Sequence, residues 1–170
     1  ITEGLVGSEM CIRDSHKTTS MSLIQYEVSN FAKADFQSRS NLKVWDGQPY
    51  LGLGCGAHSF DGVNRWGNVR SMRKYMESVG REEPPRDFME TPTRLQQASE
   101  RLMLSLRRPE GLNILSWQEE FQIGLSLEQK NQMEKLKDQD LVSWESPILK
   151  LTTEGMLLAD AITAELMPEA

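Results

Sequence analysis

Between Leu51 and His58 the chain sets glycine at every second place for three turns of the alternation, Leu51-Gly52-Leu53-Gly54-Cys55-Gly56-Ala57-His58. A short, mostly apolar stretch with three glycines reads as a strand whose backbone is approached closely by a ligand or by another strand. Gly52, Gly54 and Ala57 also satisfy G-x-G-x-x-G/A, the pattern in which glycines admit a pyrophosphate. That pattern requires a helix opening directly behind it to hold the phosphates. Here His58-Ser59-Phe60-Asp61-Gly62 reads as loop, so the dinucleotide reading is set aside. His58, beside the glycines at a strand end, either hydrogen-bonds a ligand or serves as a structural histidine bonded to a carbonyl.

Residues 1–16 show neither helical nor strand periodicity and are read as a non-native leader. Tyr26 to Phe31 reads as a strand running into a loop. Asn68 is placed as the cap of an amphipathic helix carrying Val69, Met72, Met76 and Val79 and ended by Gly80. The charged stretch Arg81 to Asp87 contains Pro84-Pro85 and reads as a linker, dividing residues 17–82 from 83–170.

Beyond it, Thr91-Pro92 reads as a cap before a helix with Leu95, Ala98, Leu102 and Leu106 on one face. Asn113 starts a second helix that buries Ile114, Trp117 and Phe121. The capping box Ser126/Gln129 starts a third that buries Leu127, Met133 and Leu136. Residues 141–152 alternate about Pro147 as a hairpin, and Leu158, Ile162 and Leu166 line a last helix. The expected fold is an α/β fragment followed by a mainly α, winged-helix-like C-terminal domain.

An apolar fraction of 38% with 26% charged residues predicts a soluble globular chain, and no apolar run suggests a membrane span. Residues 1–80 hold nine basic and eight acidic groups; residues 81–170 hold ten and seventeen. The acidic second half repels phosphate backbones, so no nucleic-acid partner is expected. Two cysteines without an apolar leader predict a cytoplasmic setting rather than a disulfide framework. Cys11, His16, Cys55 and His58 lack persuasive zinc spacing, and no metal site is expected. Trp117 and Trp144 fall at core periodicity, while Arg107 and Arg108 are placed at a helix end to satisfy its dipole.

Two runs, Tyr26-Glu27-Val28-Ser29-Asn30-Phe31-Ala32-Lys33 and Tyr50 to Ser59, resemble the radical S-adenosylmethionine family of HemW and oxygen-independent coproporphyrinogen III oxidase. Arg65-Trp66 with Asn68, Arg101-Leu102-Met103-Leu104 to Gly111-Leu112, and Leu151-Thr152-Thr153-Glu154-Gly155 fit the same pattern. The resemblance implies the last part of a partial (β/α) barrel in residues 17–82 and the family's winged-helix-like domain in 83–170.

It also implies that Gly54, Gly56, Ala57 and His58 lie on the S-adenosylmethionine side. Full-length members use S-adenosylmethionine, a four-iron four-sulfur cluster and heme. They handle heme or porphyrin together with a heme-receiving protein. The cluster needs a C-x-x-x-C-x-x-C run, which this sequence lacks, so radical chemistry is not expected of the chain by itself. The family's H-N-x-x-Y-W motif corresponds to Ser40-Asn41-Leu42-Lys43-Val44-Trp45, leaving Asn41 and Trp45 as its remnant without histidine or tyrosine. Ala34-Asp35 likewise stands where the family usually has Pro-Gly. None of the three cofactors is expected to bind this chain well.

The leading functional expectation is therefore a fragment of a HemW-like heme chaperone. An oxidase of coproporphyrinogen III and a stand-alone winged-helix DNA-binding regulator are the alternatives. For the regulator, Lys130, Lys135 and Lys137 would contact phosphates, with Glu128, Glu134, Asp138 and Asp140 beside them opposing it.

Overall fold

A computed structural model describes residues 22–168, so the leader and its Cys11 and His16 lie outside the described residues. The first element is a hairpin of β1 (Ile24–Glu27) and β2 (Asn30–Ala32), joined through Val28-Ser29. The expected single strand running into a loop is thus folded back on itself. Gln25 Nε2 donates to the Val28 carbonyl at 3.0 Å, and the Ser29 amide donates to Glu27 Oε1 at 3.0 Å, which together close the turn. Helix α1 (Arg39–Trp45) follows, with Ser38 Oγ accepting from the Asn41 amide as its cap.

A three-stranded antiparallel sheet comes next, in the order β3 (His58–Phe60), β4 (Arg65–Asn68), β5 (Arg86–Glu90). Helix α2 (Met72–Gly80) lies between β4 and β5 in sequence. Four sequence expectations change here. The glycine run is not a strand, because the left-handed φ angles of Gly54 (+101°) and Gly56 (+70°) break the extended path. The strand starts at His58, where loop had been expected, although no helix follows and a Rossmann turn stays excluded. Asn68 ends β4, and the α2 cap is Ser71. Residues 86 and 87, read as linker, belong to β5. The prolines stand just before its first residue, where a missing amide donor costs no ladder bond.

Residues from 93 onward build the hydrophobic core. Helix α3 (Arg94–Leu106) is capped by Thr93 in a reciprocal box with Gln96, two residues later than expected. Then come β6 (Leu112–Asn113), α4 (Ile114–Phe121), α5 (Leu127–Asp138), β7 (Val142–Glu145) and β8 (Ile148–Leu151). The expected Asn113 cap, Ser126/Gln129 capping box and hairpin are all present. Strand β6 was not foreseen; it adds to the hairpin in the order β6-β8-β7. The last helix is two, α6 (Thr153–Leu157) and α7 (Ala159–Leu166), and Leu158 at their junction is exposed, as is Leu127.

Leu106, Trp117, Met133, Val142 and Leu149 are almost wholly buried. Each such side chain contributes roughly 1.5–3 kcal/mol of transfer free energy. Trp117 Nε1 donates to the Ala98 carbonyl at 3.0 Å, so the indole enters the core with its polar atom satisfied.

Among the described residues, every buried hydrophobic lies between Ala98 and Leu166. Upstream, the buried side chains are Pro92 and the polar Glu27, Ser59 and Asn68, and α2 buries none of its residues. Its apolar face, Met72, Met76 and Val79, is exposed. Among the described residues no helix is long and apolar enough to cross a membrane.

Candidate functional site

The glycine loop is held by three side chains, Asn68, Ser59 and Tyr75. Asn68 is 8% exposed, and its Nδ2 donates to the carbonyls of Gly54 (2.9 Å) and Gly52 (3.3 Å), while its backbone amide donates to Ala57 (2.9 Å). The fully buried Ser59 accepts from the Gly52 amide at 2.9 Å, Tyr75 Oη accepts from the Gly54 amide at 3.1 Å, and Val69 accepts from Gly56 at 3.0 Å. These internal bonds to Gly52, Gly54, Gly56 and Ala57 hold the loop in place before any ligand arrives.

The glycines differ in purpose. A Cβ on Gly52 would lie 2.0 Å from the His58 carbonyl oxygen, so the backbone approaching there is the chain's own. A Cβ on Gly54 would meet nothing within 4 Å, and this is the face open to a ligand. Gly56 turns the chain beside Arg70.

His58 is exposed, and its imidazole makes no hydrogen bond among the described residues. Its ring meets Phe88 edge to face, centroids 5.5 Å apart at 62°. Cys55 is half-buried.

Asn41 and Trp45 stand one turn apart on α1. Asn41 Nδ2 is 3.5 Å from Tyr26 Oη, which ties α1 to β1. The Arg107 guanidinium lies 5.4 Å from the centroid of the Trp45 ring, and the Arg107 carbonyl accepts from the Val28 amide at 3.0 Å. Arg107 also pairs with Asp160, and Arg108 with Asp46 and Glu110. These two arginines therefore clamp α1 and β1 onto the C-terminal core in addition to ending α3. Trp45 Nε1 and Glu27 Oε2 are buried without a partner among the described residues.

A cleft of about 360 Å³ separates α1, the β3–β4 hairpin and α3. Tyr50, Phe60, Met103 and Phe121 supply apolar wall, and Arg65, Arg101, Glu100 and Glu120 supply charge of both signs. Burial works against the Arg65 charge. The hydrogen bonds and charges of Glu90 (2.7 Å) and Glu100 (2.5 Å) outweigh it and raise the guanidinium above its ordinary value. Arg101 is more loosely held, 3.7 Å from Glu120.

Of the residues singled out from sequence, Gly54, Gly56, Ala57 and His58 fall together on one loop, while Asn41 and Trp45 sit on α1. None of the six lines the cleft. Asn68, Ser59 and Tyr75 were missed as site residues. Asn68 looked like a helix cap, and nothing in its spacing linked Tyr75 to a glycine twenty-one positions earlier. Among the described residues no three His, Cys, Asp or Glu side chains converge as a metal site.

This mixed α/β arrangement is found in a radical SAM enzyme. The structure of coproporphyrinogen III oxidase (HemN) from Escherichia coli superposes with a TM-score of 0.72 at 16% identity, covering 92% of this chain and 40% of that one. In sequence, the chain is 31% identical over 146 residues to the heme chaperone HemW of Bacillus subtilis, covering 85% of this chain and 38% of that protein. It is 29% identical over 160 residues to the mitochondrial radical S-adenosyl methionine domain-containing protein 1 of Danio rerio, covering 85% and 35%. No protein-family model matches the chain. The chain is thus a relative of the HemW heme chaperones, and it spans little more than a third of the length of those it matches.

Proposed function

We propose that the chain is the C-terminal portion of a HemW-like radical S-adenosylmethionine protein of heme metabolism. In this reading residues 17–82, with β5, which pairs with β4, join the barrel side as antiparallel strands beside its parallel ones, and the rest of residues 83–170 forms the winged-helix-like domain. The observation that carries it is the asymmetry of burial. Among the described residues, the second half owns an apolar core, whereas residues 22–82 bury only polar side chains and leave the apolar face of α2 exposed. A barrel segment that normally packs against further strands and helices has this character.

The glycine loop fits the S-adenosylmethionine side, since its backbone is held by hydrogen bonds within the chain and a Cβ at Gly54 would meet nothing within 4 Å. The cluster does not fit these residues. Four-iron four-sulfur centres of this family take three thiolates, and the sequence holds two cysteines far apart. Heme coordination at the α1 motif is weakened for a similar reason, because Ser40 and Val44 offer no strong axial ligand. The apolar wall of the cleft is better suited to a porphyrin edge, with the loosely held Arg101 the cation nearest to hand for a carboxylate, since Arg65 is already paired with Glu90 and Glu100. In the full-length protein the heme would pass to a cytoplasmic receiving protein, and the acidic second half disfavours a nucleic-acid partner.

The test joins residues 17–170 in frame to the cluster-bearing part of Bacillus subtilis HemW and reconstitutes the hybrid with iron and sulfide. Heme binding without consumption of coproporphyrinogen III supports the chaperone reading. Turnover of the porphyrinogen overturns it in favour of the oxidase.

A further inference from the structure

We propose that Phe88 is a positioning residue for His58, and that Gly67 is the feature that lets it act. The strand register sets His58, Gly67 and Phe88 in one row across β3, β4 and β5. Paired positions of a sheet share a face, so the three residues present the same side. The middle one has no side chain. A Cβ built on Gly67 would lie 2.4 Å from Phe88 Cε1 and 3.1 Å from both Cδ1 and Cζ, so the Cε1 edge of the phenyl ring occupies the space that a side chain at 67 would take. Only by crossing that vacant position does the ring of an edge strand reach the imidazole two strands away, where it makes the edge-to-face contact.

A histidine that serves a site is ordinarily oriented by a hydrogen bond to one ring nitrogen, which fixes its tautomer and occupies that atom. His58 has no such bond among the described residues. Its orientation comes from an apolar contact, so both nitrogens remain available to a ligand while the ring is restrained. The edge position of β5 suits this role, because Phe88 is itself partly exposed and owes nothing to the core. The functional meaning rests on the reading that His58 stands on the S-adenosylmethionine side; the positioning itself does not.

The experiment is proton NMR of the imidazole in the full chain, which contains two histidines, His16 and His58. In the native chain the Phe88 ring current displaces the His58 ring resonances from their free position. Phe88→Leu removes the ring, and Gly67→Ala leaves Phe88 in the sequence but pushes it off the glycine. Both are expected to return the resonances to the free position, whereas Phe88→Tyr keeps the displacement. Amide spectra establish that each variant is folded. His58 resonances that stay where they are in a folded Phe88→Leu chain overturn the proposal, as does their return to the free position in Phe88→Tyr. The site assignment is tested separately, in the hybrid with the cluster-bearing part of Bacillus subtilis HemW. A His58→Ala hybrid that binds S-adenosylmethionine as tightly as the unchanged hybrid removes the site assignment and leaves the positioning standing.

Discussion

Asn68 illustrates how one side chain can define a site it does not enter. Its amide is saturated by the Gly52 and Gly54 carbonyls, so Asn68→Ala leaves both acceptors without that donor in a nearly closed environment. Such a loss costs about 1–3 kcal/mol. The expected outcome is a lower thermal midpoint, with faster amide exchange at Gly54 and Ala57 and little change at Leu106 or Leu149. Uniform loss of protection across the core would show that Asn68 acts on the whole fold instead of on the loop.

Asp61 does comparable work at the β3–β4 turn. Its Oδ1 accepts from the amides of Asn64 (2.6 Å) and Val63 (2.8 Å), and these bonds, the Asn64 amide first, hold the carboxyl below its ordinary 3.8. A depressed folded pKa stabilises above the unfolded value and is lost as pH falls through the folded one. The turn should therefore stay closed above about pH 4 and loosen in more acid solution. Asp61→Asn should flatten that dependence in amide exchange at Val63 and Asn64, and an unchanged acid profile would contradict the assignment.

At the scale of elements, the closing run of the chain shows why a small residue is needed at a helix start. Thr152 Oγ1 accepts from the Gly155 amide at 3.0 Å and donates back toward the Asp140 carbonyl, which brings α6 down onto the end of α5. A Cβ at Gly155 would lie 1.8 Å from the Leu141 carbonyl oxygen. Gly155→Ala must move backbone, not merely a flexible side chain, and overpacking of this kind costs about 1–3 kcal/mol. Urea denaturation should show that loss, and a variant as stable as the native chain would place α6 differently.

The elements legible in the sequence were those with a local signature. The reciprocal Ser126/Gln129 box, the Asn113 cap and the alternation on either side of Pro147 each appeared where spacing placed them. The misread elements depend on partners far along the chain. Strand β5 exists because β4 pairs with it, and nothing in Arg86 to Glu90 signals that pairing. Asn68 and Thr91 are good capping residue types, yet Ser71 and Thr93 hold the caps because tertiary pairing fixes where the preceding strands end. The glycine run signalled close approach correctly, but its positive φ angles, which decide loop over strand, are not written in residue identity alone.

Taken as a whole, the molecule is two halves with different sources of order. The second folds about its own core, while the first is held by hydrogen bonds, by the Arg65–Glu90–Glu100 pairs and by the Arg107 and Arg108 clamps. Substitutions should divide along the same line. Met133→Ala removes a side chain that is 1% exposed and should cost about 2–5 kcal/mol. Met76→Ala, at 59% exposure, should change stability by no more than about 0.5 kcal/mol. Equal costs at the two sites would mean that the α2 face is covered in solution by this chain itself.

The central claim is that these residues supply the scaffold of a radical S-adenosylmethionine protein without the thiolates that its cluster needs. Anaerobic reconstitution of the 170-residue chain with ferrous iron and sulfide, followed by iron and acid-labile sulfide analysis, tests it most directly. The account predicts a desalted protein without a stoichiometric four-iron four-sulfur centre and without reductive cleavage of added S-adenosylmethionine. A stable cluster that cleaves the compound would contradict it.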